Sequence, residues 1–290
     1  MNQNVTIITG GTSGIGFETA KALLQKNHRV LIASRNAARG KTAISALQPF
    51  GKVEFKLLDL ADPASIRSFA DHVNKEYTAI HCLINNAGVM IPPLTHTVEG
   101  FELQFGINHL GHFALTGLLL PQLMEANRAR IVMISSIAAI KGFIDFTNLD
   151  GKNGYKPMVF YRQSKFANLL FSKQLQQNLR SANSSTLAVT AHPGLAYSNL
   201  LSRGSGKEAN LLIRKLLPRL IQSSANGACS PIYAATDPLL EGGEWIGPSG
   251  HRSWYGAPVV STLGDQLYDE QTADKLWQFS QEVTGVTYSF

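Results

Sequence analysis

Tyr161 and Lys165 stand four residues apart in Phe160-Tyr161-Arg162-Gln163-Ser164-Lys165, and a Ser135-Ser136 pair closes the apolar run before them. On a helix, positions i and i+4 share a face, so the phenol and the ammonium are expected to enter one pocket. An ammonium beside a phenol favours the phenolate, drawing a reference pKa of roughly 10 toward neutrality. A tyrosine tuned in this way is a proton donor at neutral pH. The same spacing also describes many solvated helix faces, so its weight depends on the elements that position it.

Those elements alternate. Short β-branched runs at 5–9, 30–34, 53–58, 80–85, 130–135 and 187–192 are separated by helical patterns at 15–26, 37–47, 64–76, 111–126 and 159–179. Such an order predicts right-handed crossovers and a parallel sheet covered on both faces. The strand runs are apolar throughout, as doubly covered strands are. The expected fold is α/β, a single-domain doubly wound Rossmann fold whose ligands bind beyond the carboxyl ends of the strands. After 192 the alternation loosens, with an inserted helical segment at 200–223, helices at 224–236 and 270–283, and a short strand at 244–246.

Composition narrows the function. The chain has 290 residues, 44% hydrophobic and 16% charged, with no repeat and no Pro/Gly/Ser-rich linker, which fits one globular domain. Its net charge is +6, but the basic residues are scattered, which argues against a nucleic-acid surface and leaves room for a small anionic ligand. Two cysteines, Cys82 and Cys229, make neither a disulfide framework nor a metal-ligand pattern and suit a reducing compartment. Cys82 lies inside the apolar run 80–84 and reads as a core thiol. The first strand begins at Val5, which predicts no signal peptide or membrane anchor. No apolar run reaches the roughly 18 residues of a span. A soluble, cytoplasmic protein is expected, with homo-oligomerisation left open.

Directly after the first strand comes Thr9-Gly10-Gly11-Thr12-Ser13-Gly14-Ile15-Gly16, opening a helix. Glycines there allow a tight turn, close approach of phosphate and close helix–sheet packing, with the helix N-terminus facing a pyrophosphate. Gly10, Thr12, Ser13, Gly14, Ile15 and Gly16 are the expected contacts. The second strand ends Ala33-Ser34-Arg35-Asn36, without the carboxylate that would bind a ribose 2′-hydroxyl. A guanidinium offers paired donors to phosphate, so Ser34 and Arg35 point to NADP(H). Asp59-Leu60, after the third strand, places a carboxylate where it can accept from an adenine amino group, or cap the following helix.

Taken together, these pieces resemble the short-chain dehydrogenase/reductase family over roughly residues 4 to 200. Thr9–Gly16 is similar to its glycine motif and Asn85-Asn86-Ala87-Gly88 to its strand-stabilising motif. Asn108 resembles the active-site asparagine, Ser136 the catalytic serine, Tyr161 and Lys165 the catalytic pair, and Pro193-Gly194 the nicotinamide-side turn. The segment Asn108-His109-Leu110-Gly111-His112-Phe113, the Ala33-Ser34-Arg35 strand end and the long stretch from Ser136 to Tyr161 resemble the branch of retinol dehydrogenases, WW-domain oxidoreductases and protochlorophyllide reductases. The expected N-terminus lacks a membrane anchor, which favours a soluble relative over a true retinol dehydrogenase.

The resemblance implies hydride transfer between NADP(H) and a carbonyl or alcohol carbon. Tyr161 would protonate the developing alkoxide, Lys165 would lower the tyrosine pKa and hold the ribose, Ser136 would orient the substrate oxygen, and Asn108 would support a water path for the proton. Ser136 rather than Ser135 matches the motif. Asn86, Ala87, Gly88, Pro193, Gly194 and Ser198 complete the expected cofactor contacts. His109 and His112 have no third ligand nearby, so packing is expected of them and no metal. A small-molecule carbonyl or alcohol is the expected partner. Two alternatives are a protein that senses NADP(H) without chemistry and a light-driven tetrapyrrole reductase.

The family's substrate loop suggests a lid at 200–223. On a helical wheel Leu212, Ile213, Leu216, Leu217, Leu220 and Ile221 fall opposite Arg214, Lys215, Arg219 and Gln222, with Pro218 interrupting. Phe143, Ile144 and Phe146 are expected to line the facing wall of a pocket for bulky apolar carbonyls. The other reading of the segment is a surface helix packed on the core.

Overall fold

The computed structural model describes residues 3–196 and 222–290. Its strands are β1 Val5–Thr9, β2 Arg29–Ser34, β3 Val53–Leu57, β4 Cys82–Asn85, β5 Arg130–Ile134, β6 Leu187–Ala191, β7 Trp245–Pro248 and β8 Pro258–Ser261. They form one eight-stranded sheet in the order β3-β2-β1-β4-β5-β6-β7-β8. Pairing is parallel through β7, and β8 closes the edge antiparallel to it.

The chain first winds from β1 outward to β3, then returns to lay β4 on the other side of β1. This reversal opens a crevice at the carboxyl ends of β1 and β4, where α/β sheets bind ligands. Strand periodicity fills both faces. Ile7 packs with Val73, Phe113 and Leu119, while its neighbour Ile8 packs with Leu23, Leu24 and Val132. Each fully buried aliphatic contributes about 1.5–3 kcal/mol. The β4, β5 and β6 residues are all buried, which is why these runs carry no polar alternation.

The helices that matter for the site follow the same logic. Gly14–Gln25 rises from the β1 turn, and the 25-residue helix Pro157–Ser181 starts with Pro157 in its first turn, where a missing N–H is harmless. Between β4 and Gly111–Met124 the chain makes a π-helical turn, Gly106–Leu110, that the periodicity did not mark. β8 was also unforeseen, since it is a short run on a sheet edge. The expected helix at 224–236 is two pieces, Ser224–Gly227 and Cys229–Thr236, meeting at Ala228. Cys82 is a core thiol, 1% exposed. Of the expected lid at 200–223, all but Gln222 and Ser223 lies outside the described residues, as does Ser198. Among the described residues, no helix is long and apolar enough to cross a membrane.

Candidate active site

A cavity of about 1130 Å³ lies over the crevice, and most of the singled-out residues line it. At one end are Gly10, Thr12, Ser13, Gly14, Ile15, Gly16, Ser34, Arg35, Asp59 and Leu60, and at the other Ser136, Tyr161, Lys165, Pro193 and Gly194, with Asn86, Ala87 and Gly88 also on its wall.

The glycine turn is shaped for close approach. Gly14 has φ +60°, and a Cβ built there meets nothing within 4 Å, so it would project into the cavity. Gly16 sits so close to Asn86 Nδ2 and the Gly10 carbonyl that any side chain would displace one of them. Ser13 caps the following helix without a side-chain hydrogen bond, so its first amides remain for an anion.

Thr9 holds this turn to the end of β4. Its hydroxyl accepts from the Asn86 and Ala87 amides, each at 2.9 Å, and lies 2.9 Å from His112 Nε2. His112 Nδ1 donates to the Asn108 carbonyl at 3.0 Å, and burial lowers the imidazole to about 4, so the ring is neutral and its Nε2 accepts from Thr9. His109 is likewise a core group, 2.9 Å from Ser280 Oγ and packed against Phe105, Phe113 and Phe171. Both histidines are therefore packing groups that tie elements together.

At the β2 end Asn36 caps the helix Ala37–Leu47, accepting from the Arg39 amide, and Arg39 lines the cavity as Arg35 does. Sequence reading missed Arg39; a second arginine in the first turn of that helix was the available signal. Among the described ion pairs, neither arginine meets a carboxylate. Asp59 accepts from the Ala61 amide at 3.0 Å, while Asp62 caps the next helix, so the cap falls to Asp62 and Asp59 stays on the cavity wall.

At the other end the two serines separate by role. Ser135 Oγ, 2% exposed, donates to the Lys165 carbonyl at 2.6 Å and holds the long helix against β5. Ser136 Oγ accepts from the Ala138 amide and lies close enough to the Tyr161 phenol to draw its pKa down. Lys165 Nζ donates to the Ile134 carbonyl at 3.0 Å, and burial lowers it to about 8. One expectation needs correction. Burial raises the Tyr161 phenol, Ser136 opposes the rise, and Lys165 lies 6.0 Å from the ring centroid. The ammonium is engaged with a backbone carbonyl, so its field is not what sets the phenol here.

Asn108 lies behind the cavity, fully buried on the π-helical turn. Its amide accepts from Val89 N at 2.8 Å and donates to Val89 O at 3.0 Å and Ser164 Oγ at 2.9 Å. The whole side chain therefore pins the wall residue Val89 to the long helix. The expected wall from Phe143, Ile144 and Phe146 does not form. Ile144 and Phe146 pack into the core beside Phe279, and Phe143 is 56% exposed. That stretch contributes Ile137, Ala138, Ile140 and Lys141 to the cavity instead, facing Met90, Pro92, Leu103 and Ile107.

A family model described as short chain dehydrogenase matches residues 4–205. Retinol dehydrogenase 12 of Mus musculus is 38% identical over 289 residues, covering 98% of this chain and 87% of that protein. Polyprenol dehydrogenase of Homo sapiens is 37% identical over 290 residues, covering 97% and 85%. A solved structure from Mycobacterium paratuberculosis superposes with a TM-score of 0.82 at 36% identity, covering 99% of this chain and 96% of its own. The structure of the Pseudomonas aeruginosa RhlG/NADP active-site complex shares the fold, with a TM-score of 0.65 at 22% identity over 83% of this chain and 93% of its own. The chain belongs to the short-chain dehydrogenase family of oxidoreductases.

Proposed function

We propose that this protein is an NADP(H)-dependent oxidoreductase of bulky apolar carbonyl or alcohol compounds, with Tyr161 as general acid/base. The observation that carries the reading is the meeting of Ser136, Tyr161 and Lys165 in one cavity whose far end presents Arg35 and Arg39. The cradle fits a dinucleotide. Gly14 leaves open the space a side chain would fill, and two arginines with no carboxylate partner among the described residues suit a 2′-phosphate better than a 2′-hydroxyl.

NADPH, when bound, supplies the hydride. Every other part falls to the chain. Gly10, Thr12, Ser13, Gly14, Ile15 and Gly16 receive the pyrophosphate, Ser34, Arg35 and Arg39 the 2′-phosphate, and Asp59 and Leu60 the adenine. Asn86, Ala87, Gly88, Pro193 and Gly194 flank the nicotinamide side, with Ser198 assigned there by the motif. Ser136 donates to the substrate oxygen and Tyr161 delivers the proton, so two donors wait where negative charge develops. A neutral, buried phenol is the protonation state that reduction needs. Lys165 holds the ribose, and the Ser136 hydroxyl is what favours the Tyr161 phenolate as it forms. For Asn108, its contacts favour positioning Val89 over a direct part in returning the proton. Met90, Pro92, Leu103, Ile107, Ile137 and Ile140 give the substrate an apolar enclosure. The cytoplasm is the compartment we assign, on the reading that both cysteines stay reduced.

The test is NADPH oxidation across a panel of short and long aldehydes, ketones and quinones, repeated with NADH. Turnover that prefers NADPH and long apolar carbonyls supports the reading. A panel with no turnover, with NADPH bound, would leave a non-catalytic binder and overturn it.

A further inference from the structure

Ile91 has φ +54°. Left-handed backbone is a marked outlier for a β-branched residue, and such strain persists where surrounding structure over-determines it. Its neighbours Met90 and Pro92 both line the cavity. The strain therefore sits in the wall that a substrate would touch.

Two polar contacts hold that wall, one from Gln104 and one from Tyr155. The Ile91 amide donates to Gln104 Oε1 at 2.8 Å. Gln104 Nε2 in turn donates to the Pro157 carbonyl at 3.0 Å, to Glu102 Oε1 at 3.1 Å and to Tyr155 Oη at 3.2 Å. Tyr155 Oη donates to the Pro92 carbonyl at 2.7 Å. The amide orientation is fixed by its surroundings, because Ile91 offers a donor and Pro157 an acceptor. Gln104 and Glu102 are both fully buried, and the Glu102 carboxylate also accepts from the Gln104 and Phe105 amides, each at 3.0 Å.

Pro157 begins the helix that carries Tyr161 and Lys165. Gln104 lies just ahead of the π-helical turn that carries Asn108. One buried amide thus joins the strained wall, the start of the Tyr161 helix and the Asn108 turn.

We propose that Gln104 is a specificity-determining positioning residue: with Tyr155 it clamps the wall at 90–92 in its strained form, setting the distance between the apolar enclosure and the Tyr161 phenol. It touches neither substrate nor cofactor. The proposal rests on the reductase reading above and deepens it. A wall held at fixed distance rewards each methylene that reaches it, about fourfold in specificity constant per buried group. A released wall relaxes Ile91 toward an ordinary conformation and loses that grading.

The experiment compares wild type, Gln104→Met, Ile91→Gly and the double variant on a homologous aldehyde series with NADPH, reading kcat and KM separately alongside NADPH binding. Gln104→Met keeps the volume but neither accepts from Ile91 nor donates to Pro157. It should flatten the dependence on chain length, raising KM for the longest aldehydes about tenfold, the size of one hydrogen bond. NADPH affinity and kcat on the shortest aldehyde should hold. Glycine adopts φ +54° without strain, so Ile91→Gly in the Gln104→Met background should restore the grading. If Gln104→Met does not fold, Tyr155→Phe decides alone, since it removes the bond to Pro92 and should flatten the series partway. An unchanged length dependence in Gln104→Met, or a uniform loss that glycine does not rescue, overturns the proposal and leaves the reductase reading intact. Absence of carbonyl turnover in wild type overturns both.

Discussion

Replacing Thr9 with valine keeps the volume of a fully buried side chain and removes its hydroxyl. In the protein that hydroxyl accepts two backbone amides, Asn86 N and Ala87 N, each at 2.9 Å, and donates to neutral His112 Nε2, also at 2.9 Å. The Asn86 amide also donates to the Ile84 carbonyl at 3.0 Å and keeps that bond, so the Ala87 amide is the donor left without a partner, at a cost of about 1–3 kcal/mol. The Asn86 side chain still reaches the Thr9 carbonyl at 2.8 Å, which limits the damage to the hydroxyl's own bonds. Urea unfolding of wild type, Thr9→Val and Thr9→Ser isolates the effect. Serine keeps all three bonds and loses one methyl, about 1 kcal/mol. Because Ala87 Cα lies 2.9 Å from the position of a Gly10 Cβ, any shift of Ala87 also disturbs the glycine turn, and NADPH should bind Thr9→Val more weakly. If Thr9→Val melts within about 0.5 kcal/mol of wild type, the ordinary range for an inconsequential substitution, this hydroxyl does not hold the two motifs together.

Other outcomes follow from the same geometry. Arg35→Ala should weaken NADPH by one to two powers of ten, from loss of a contact worth about 1.5–3 kcal/mol, and leave NADH nearly unchanged, as read by fluorescence titration. Ser136→Ala should reduce kcat while Ser135→Ala should reduce stability, because Ser136 faces Tyr161 and Ser135 binds the Lys165 carbonyl; steady-state kinetics and thermal melts separate the two. Burial lowers His109 to about 3 and His112 and His192 to about 4, against 6.5 unfolded. Folded pKa values below the unfolded one mean that the unfolded chain takes up protons first, so stability is full above pH 6.5 and falls as pH drops toward 4. Three such groups lose about 3 kcal/mol between pH 6.5 and 5.5, measurable by urea titration at each pH.

The doubly wound sheet was legible because doubly covered strands must be continuous apolar runs, and 5–9, 30–34 and 130–135 are such runs. The glycine turn, the Ser136–Tyr161–Lys165 set and the basic end of β2 were legible because each depends on neighbours close in sequence. What resisted reading depends on partners far away. Hydrophobicity alone does not tell a cavity wall from a core, so Phe146 was assigned to the cavity although Phe279, far along the chain, draws it into the core. The spacing of Tyr161 and Lys165 fixes a shared face but not the Ile134 carbonyl that the ammonium meets. Ile91 gives no local sign of its left-handed backbone, because the acceptor that holds it belongs to Gln104. The strand end at Arg35 pointed to a basic pocket, but Arg39, in the first turn of the following helix, lines the same cavity.

The central claim is that Tyr161 moves the proton in a carbonyl reduction. Tyr161→Phe removes the hydroxyl and keeps the ring that packs in the site, so folding and NADPH affinity should match wild type. Turnover on the best long-chain aldehyde should fall on the order of 10²–10⁴-fold, the contribution of a positioned general acid. Single-turnover NADPH oxidation at saturating substrate measures this step directly. A Tyr161→Phe enzyme that binds NADPH normally and reduces the aldehyde at near wild-type rate would contradict the account.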